Sequence, residues 1–502
     1  MWGAYVISMP GLVWKTINGK KYLVMRWKKR VNGKLKIMKE IYIGDMDRLA
    51  DMLENPVRDA EVATLDFGTT AMSKMIDGEI GLREIVNSVI GYGGNGMSPG
   101  DYLLLFIMNR LSDPQSKSGI ERWMSRDYSS LIYQKVGSQD FWNVMDRFSD
   151  DSMKEIRKRI TNRLISLGYD FSNIFVDASN FYTFMEENAM AKRGHNKKHR
   201  YDLNQVSYYI AANYDYIPLD GDSYPGNVYD SKTFSMIVER LPKNATLVFD
   251  RGYNSADNIK MIKERKYLGA LKQSEHSDLM DAPLESDSFF ETYRTVYGEY
   301  HRIIVYHSSK LERKRVKAFL KEFRIVYSRA KEIVEKGDSD ALDKARLYLE
   351  SNNLNETILL PDFRINQERM NARFRMFGRN ALFTNIGYLG PEELIDLYRK
   401  RNRVEHCFRT ISTQDLASPI YHWTPQKIRV HMFFSHVTYL FLALMRMKLK
   451  PVMELYLSSV KDVLSTIKIV YIIRGKSVEK RLFSGDERAR NVMNKIDLMK
   501  VA

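Results

Sequence analysis

Asn173-Ile-Phe-Val-Asp177 places three apolar residues ahead of an aspartate, and Thr246-Leu-Val-Phe-Asp250 repeats the design. Short apolar runs rich in β-branched and aromatic residues, bounded by turn formers, read as buried strands rather than helices. Between them, Gln205 to Asn213 (QVSYYIAAN), a turn at Tyr214 to Tyr216, and Ile217 to Tyr224 predict an antiparallel pair. Ser231 to Leu241 is expected to be a helix capped by Asp230 or Ser231. Beyond Asp250, Asn254 to Arg265 reads as a helix and Tyr267 to Leu271 as a further strand. The order β, β, β, α, β, α, β describes an α/β fold, a mixed sheet flanked by helices, in which carboxylates at strand ends converge on one edge.

Downstream, Tyr398 to Ser412 (YRKRNRVEHCFRTIS) reads as part of a helix started by Gly390 and Pro391, with Glu392 and Glu393 in its first turn. At 3.6 residues per turn, Tyr398, Arg401, Glu405 and Ser412 share one face. Taken alone, Glu405 among Arg401, Arg403 and Arg409 is better explained by a solvated charge network. Asp177 and Asp250 change that reading. Two strand-end aspartates and a helical glutamate are the acidic oxygen ligands that a pair of divalent ions roughly 4 Å apart requires.

Outside this core, residues 1–45 read as a β meander, because Asn18-Gly19 and Asn32-Gly33 are strong hairpin signals between β-rich runs. Residues 46–168 turn helical, with Ser98 and Pro99 as a helix start, and are expected to bind DNA. The sheet-forming pattern fills 169–274. Residues 275–383 read as a charged insertion, 384–450 as the second part of the core, and 451–502 as a C-terminal region offered as an oligomerisation element. Gly91, Gly93 and Gly96 match a GxGxxG pattern, but no strand precedes them, so they read as a connection.

The 502 residues carry 78 Lys and Arg against 62 Asp and Glu, a formal charge of +16, which points to a polyanionic partner such as nucleic acid. At 44% hydrophobic and 12% aromatic the chain is globular. A single cysteine, Cys407, excludes an internal disulfide and any multi-cysteine zinc site, and suggests a cytoplasmic protein. Neither a signal peptide nor a membrane span is expected; the apolar run Met432 to Met445 reads as a buried helix. His422, His431 and His436 read as packed core histidines, and His195 with His199 as part of a basic loop.

Asp250-Arg251-Gly252-Tyr253 stands as DRGY, and Tyr398, Arg401 and Glu405 have the spacing of a Y-(2)-R-(3)-E-(6)-K signature. With Asp177 in VDASNFY, the run from Arg193 to Phe234 and Pro419 to Trp423, these residues resemble the DDE transposases of prokaryotic insertion sequences. The resemblance implies a ribonuclease-H-like fold interrupted by an insertion domain, cutting and joining DNA at terminal inverted repeats. It further implies that Asp177, Asp250 and Glu405 hold two Mg2+ ions, with Mn2+ as a substitute, while Arg251, Tyr253, Tyr398 and Arg401 grip DNA. Double-stranded terminal repeats and target DNA would be the partners of a homodimer or larger assembly. One position departs from the signature: Ser412 stands where the family has lysine, and Arg409, nearly one turn earlier, is the substitute phosphate contact. That departure keeps open a catalytically weakened or domesticated DNA-binding protein; a metal-dependent nuclease on the same fold is a separate alternative.

Overall fold

The computed structural model describes residues 11–31, 34–54, 61–94, 96–194, 202–337, 340–351, 364–413, 416–417, 420, 422–474 and 477–502. The Asn32-Gly33 turn, His195, His199, Pro419 and Tyr421 lie outside the described residues. In chain order the elements begin with β1 (Gly11–Ile17), β2 (Lys20–Val31), β3 (Lys34–Asp45), α1 (Met46–Glu54) and β4 (Glu61–Asp66). Six helices follow: α2 (Gly68–Ile80), α3 (Leu82–Ile90), α4 (Pro99–Leu111), α5 (Ile120–Met124), α6 (Ser138–Met145) and α7 (Asp150–Ser166). The central block is β5 (Asn173–Thr183), β6 (Asn204–Ala212), β7 (Pro218–Pro225), α8 (Asp230–Arg240), β8 (Thr246–Phe249), α9 (Ala256–Ile262) and β9 (Tyr267–Ala270). Next come α10 (Ser277–Asp281), β10 (Phe289–Val296), β11 (Glu299–His307), α11 (Ser309–Lys336), α12 (Ala341–Ser351), α13 (Gln367–Phe377) and β12 (Arg379–Thr384). The chain closes with α14 (Pro391–Arg399), α15 (Asn402–Thr413), α16 (Pro425–Leu449), α17 (Leu457–Ser465), β13 (Lys468–Arg474), β14 (Ser477–Phe483) and α18 (Glu487–Lys495).

Two compact units result: Asp66–Ile467 with Ser484–Ala502, and Met1–Leu65 with Lys468–Phe483. The larger is built on an eight-stranded sheet in the order β10-β11-β12-β9-β8-β5-β6-β7. β5, β8 and β9 run parallel, and the remaining pairs are antiparallel. A mixed sheet flanked by helices was therefore legible, but it is three strands wider than the sequence pattern suggests. Within the segment read as an insertion, β10 and β11 form a hairpin turned by Tyr297 and Gly298, whose φ values of 53° and 82° suit a two-residue reverse turn. β12 then inserts between β11 and β9. The helices α11, α12 and α13 keep a small core of their own, with Phe323, Val326, Ala330, Ala345, Leu349 and Met370 buried together.

α16 is the central helix of the larger unit. It is long and apolar enough to cross a membrane by composition, yet 94% of its most apolar window is buried within the protein, against α2, α4 and β7 among other elements. His431 and His436 on it, and His422 just before it, are buried, and burial pushes the last two down to about 3, so they are neutral core residues as the sequence suggests. Ser98 caps α4: its hydroxyl accepts from the Asp101 amide while the Asp101 carboxylate accepts from the Ser98 amide, with Pro99 at the first helical position.

In the smaller unit β1, β2 and β3 form an antiparallel meander, turned at Asn18 (φ 51°) and Gly19 (φ 79°). A second sheet in the order β14-β13-β4 joins strands roughly 400 residues apart in sequence. β4 falls in the region read as helical, because a strand whose partner lies roughly 400 residues away leaves no local hairpin signal, whereas β13 and β14 pair antiparallel as neighbours in sequence, with Arg474 opposite Ser477.

Candidate active site

The register of the central sheet brings the two aspartates together. β5 and β8 are parallel neighbours with Val176 opposite Phe249, so the residues that follow, Asp177 and Asp250, stand side by side at the strand spacing of about 4.8 Å. β8 stops there, and Arg251–Tyr253 turns away as a short 3-10 helix. β5 does not stop. The sequence reading ended this strand at Asp177, but its backbone continues to Thr183 because β6 pairs with it along that whole length.

The helix expected over Tyr398 to Ser412 is two helices. α14 ends at Arg399 and α15 begins at Asn402, and the backbone between them closes i to i+3 bonds: Arg401 N–H to Tyr398 O at 3.0 Å and Val404 N–H to Arg401 O at 2.9 Å. The break coincides with the residue whose side chain is held most firmly elsewhere. Arg401 Nη1 donates to Asp177 Oδ2 at 3.0 Å, while Nη2 lies 3.8 Å from Asp250 Oδ1 and 3.5 Å from Glu405 Oε1. One guanidinium is thus ringed by three carboxylates from β5, the end of β8 and α15.

Exposure grades across this cluster. The side chains of Asp177 and Arg401 are 5% and 11% exposed, Asp250 22%, and Glu405 53%, so the group opens on the Glu405 side. Asp177 Oδ1 accepts from the Ala178 amide at 2.9 Å, which fixes the other oxygen towards Arg401. Burial works against the Arg401 charge, but the pull of Tyr398, Asp177, Asp250 and Glu405 outweighs it and raises the pKa above the ordinary arginine value. Burial also raises the Tyr398 hydroxyl, which stays protonated and donates to Asp250 Oδ1 at 3.4 Å. Arg399 stacks over Tyr306 at 5.5 Å, and the Arg315 pKa is lowered first by burial and then by the Arg251 charge, so the rim is basic.

Not every sequence candidate joins the cluster. The Tyr253 ring is 1% exposed and packs on Phe234 at 5.3 Å, with its hydroxyl sealed inside. Ser412 is exposed and donates to Arg409 O at 3.1 Å, and Arg409 lines a separate cleft. Cys407 is buried, with its thiol pushed up to about 12 by burial. What the sequence did not reveal is that Arg401 is the counter-ion of all three acids; its i, i+4 spacing to Glu405 was the only signal.

The donor set suits a hard divalent cation, since three carboxylates surround one cationic centre within 3.8 Å. Their present spacing is set by the guanidinium. Among the described residues, no three His, Cys, Asp or Glu side chains stand close enough to hold a metal ion with Arg401 between them. A family model described as the transposase DDE domain matches residues 169–441, more than half of the chain, from the residues before β5 into α16. Comparison with curated proteins finds no match.

Proposed function

The chain belongs to the transposase family defined by the DDE domain, and from that premise we propose that it cuts DNA at the terminal inverted repeats of an insertion sequence and joins the ends to a target. Asp177, Asp250 and Glu405 are the three acids at the reacting phosphate. The observation that carries this reading is their convergence, from three elements far apart in sequence, around Arg401. Adjacent parallel strands bearing two of the acids support a ribonuclease-H-like core.

In this account the three carboxylates would hold two Mg2+ ions, which when bound supply Lewis-acid polarisation of the phosphodiester and a lowered pKa for water. Arg401, a planar donor already within reach of all three acids, pairs with a phosphate oxygen once DNA enters from the open Glu405 side. Tyr398 orients Asp250 through its proton. The low exposure of Asp177 and Arg401 keeps water from screening these interactions. In cutting, a water oxygen attacks phosphorus and the P–O3′ bond breaks, leaving a 3′-hydroxyl; in joining, that hydroxyl is the nucleophile and the target's own 3′ oxygen leaves.

The test uses purified protein and duplex DNA carrying the sequences that flank its reading frame. With Mg2+, nicks bearing 3′-hydroxyl ends are expected, and Asp177→Asn, Asp250→Asn or Glu405→Gln lowers the rate by on the order of 10²–10³-fold or more. Ser412, in place of the signature lysine, favours one second reading, a weakened copy that binds ends without cutting. Wild-type protein that binds but never nicks, and gains nicking on Ser412→Lys, selects it.

A further inference from the structure

α15 has a second working flank. Residues two apart on a helix lie about 200° around it, so Arg403 faces away from Glu405. There it enters a ladder of cations and rings. Lys400 stands 5.1 Å from the Tyr214 ring centre, the Arg403 guanidinium 3.7 Å from Tyr214 and 5.0 Å from Tyr216, and Arg446 of α16 5.1 Å from Tyr216. Arg403 Nη1 also donates to Tyr214 O at 3.0 Å.

The turn between β6 and β7 is strained in order to join this ladder. Tyr216 has φ 69°, in the left-handed region that a bulky residue enters at a cost of about 1–2 kcal/mol. The strain is held in place: the Asn213 side chain accepts from the Asp215 and Ile217 amides, and Tyr439 Oη donates to Tyr216 O at 3.0 Å. Strain kept at an open, charged surface marks a constrained site rather than a packing accident.

The ladder forms one wall of a cleft of about 800 Å3 between this turn, α15 and the end of α16. Four cations line it, Arg403, Arg409, Arg446 and Lys450, against two carboxylates, Asp215 and Glu454. Planar guanidinium groups match phosphate oxygens. Tyr214 and Tyr216 already have cations over their faces, which leaves little ring surface for a base to stack on. The chemistry therefore selects a sugar-phosphate backbone without regard to sequence.

We propose that this cleft binds the backbone of a second duplex DNA segment, distinct from the one at the three acids. The proposal rests on the transposase reading, since joining requires one chain to meet two stretches of DNA, and α15 would then separate them. The experiment measures how the affinity for a duplex of unrelated sequence falls with salt, for the wild-type chain and for Arg403→Ala/Lys450→Ala. Each phosphate contact contributes roughly 0.9 to the slope of log affinity against log salt, so the double variant is expected to lose about 2 and Arg403→Lys to lose less. Lys450→Ala alone, at an exposed position, is expected to lose about 1 and serves if the double variant does not fold. An unchanged slope in a folded variant overturns the proposal while leaving the transposase reading intact; a wild-type chain that binds no duplex overturns both. Competition by inorganic phosphate at matched ionic strength, at concentrations similar to DNA phosphate, would make this a small-anion site and overturn it too.

Discussion

Arg401 resolves a problem that its neighbours create. Three carboxylates facing one point repel each other unless a cation stands among them, and here the cation is a guanidinium with its Nε buried and unpartnered. Removing it leaves buried charge uncompensated. Arg401→Ala is expected to cost about 3 kcal/mol in chelator, and Mg2+ to recover more stability in the variant than in the wild-type chain, read from melting curves with and without the ion. A second residue-level prediction concerns Asp127, which is buried with Oδ2 unpartnered and its pKa pushed up by burial to about 6. Its folded pKa lies above the ordinary value of 3.8, so its contribution is fully favourable below about pH 4 and is lost as pH rises through 6. Asp127→Asn should therefore gain melting temperature relative to wild type between pH 4 and 6 and hold that gain at higher pH. Cys407, with its thiol at about 12, should resist alkylation in the folded chain and react once denatured. At this scale much was legible. DRGY and the Tyr398, Arg401, Glu405 spacing led to residues that do converge, because motif spacing reports geometry fixed by a few turns of backbone. The burial of Tyr253 was not legible, since it depends on Phe234 coming over it from α8.

Elements carried the next share. The apolar runs ending in Asp177 and Asp250, the β6 and β7 pair, and α16 all follow from local pattern, and Ser98 at the start of α4 follows from capping chemistry. Ser98→Ala should destabilise the chain by about 1 kcal/mol, somewhat more if the Asn87 amide that donates to its hydroxyl is left unpaired. Where tertiary pairing overrides local pattern, the reading failed. β5 runs past Asp177 because β6 is there to pair with it, and the helix at 391–413 breaks at Arg401, whose side chain reaches acids on β5 and at the end of β8. The hairpin of β10 and β11 joins the main sheet through β12, a partner about 80 residues downstream in sequence, which periodicity cannot report. Helix continuity across the break would change this site: restoring i to i+4 bonding would rotate Arg401 relative to Glu405.

At the scale of the whole molecule, the formal charge of +16 and two basic regions, one rimming the acids and one on the far flank of α15, suit a polyanion held at more than one place. The charge, and three acids that the structure brings together around Arg401, were legible in the sequence; the second cleft was not, since its rings and cations come from the 214–216 turn, α15 and α16. The central claim is that Asp177, Asp250 and Glu405 act together on one DNA phosphate. Its most direct test is strand transfer of pre-cut terminal-repeat DNA into a plasmid in Mg2+, by the wild-type chain and by Asp177→Asn, Asp250→Asn and Glu405→Gln. Joined product from the wild-type chain and none from any variant, with every variant still folded and binding the ends, is the predicted result; joining that survives the loss of any one acid would contradict it.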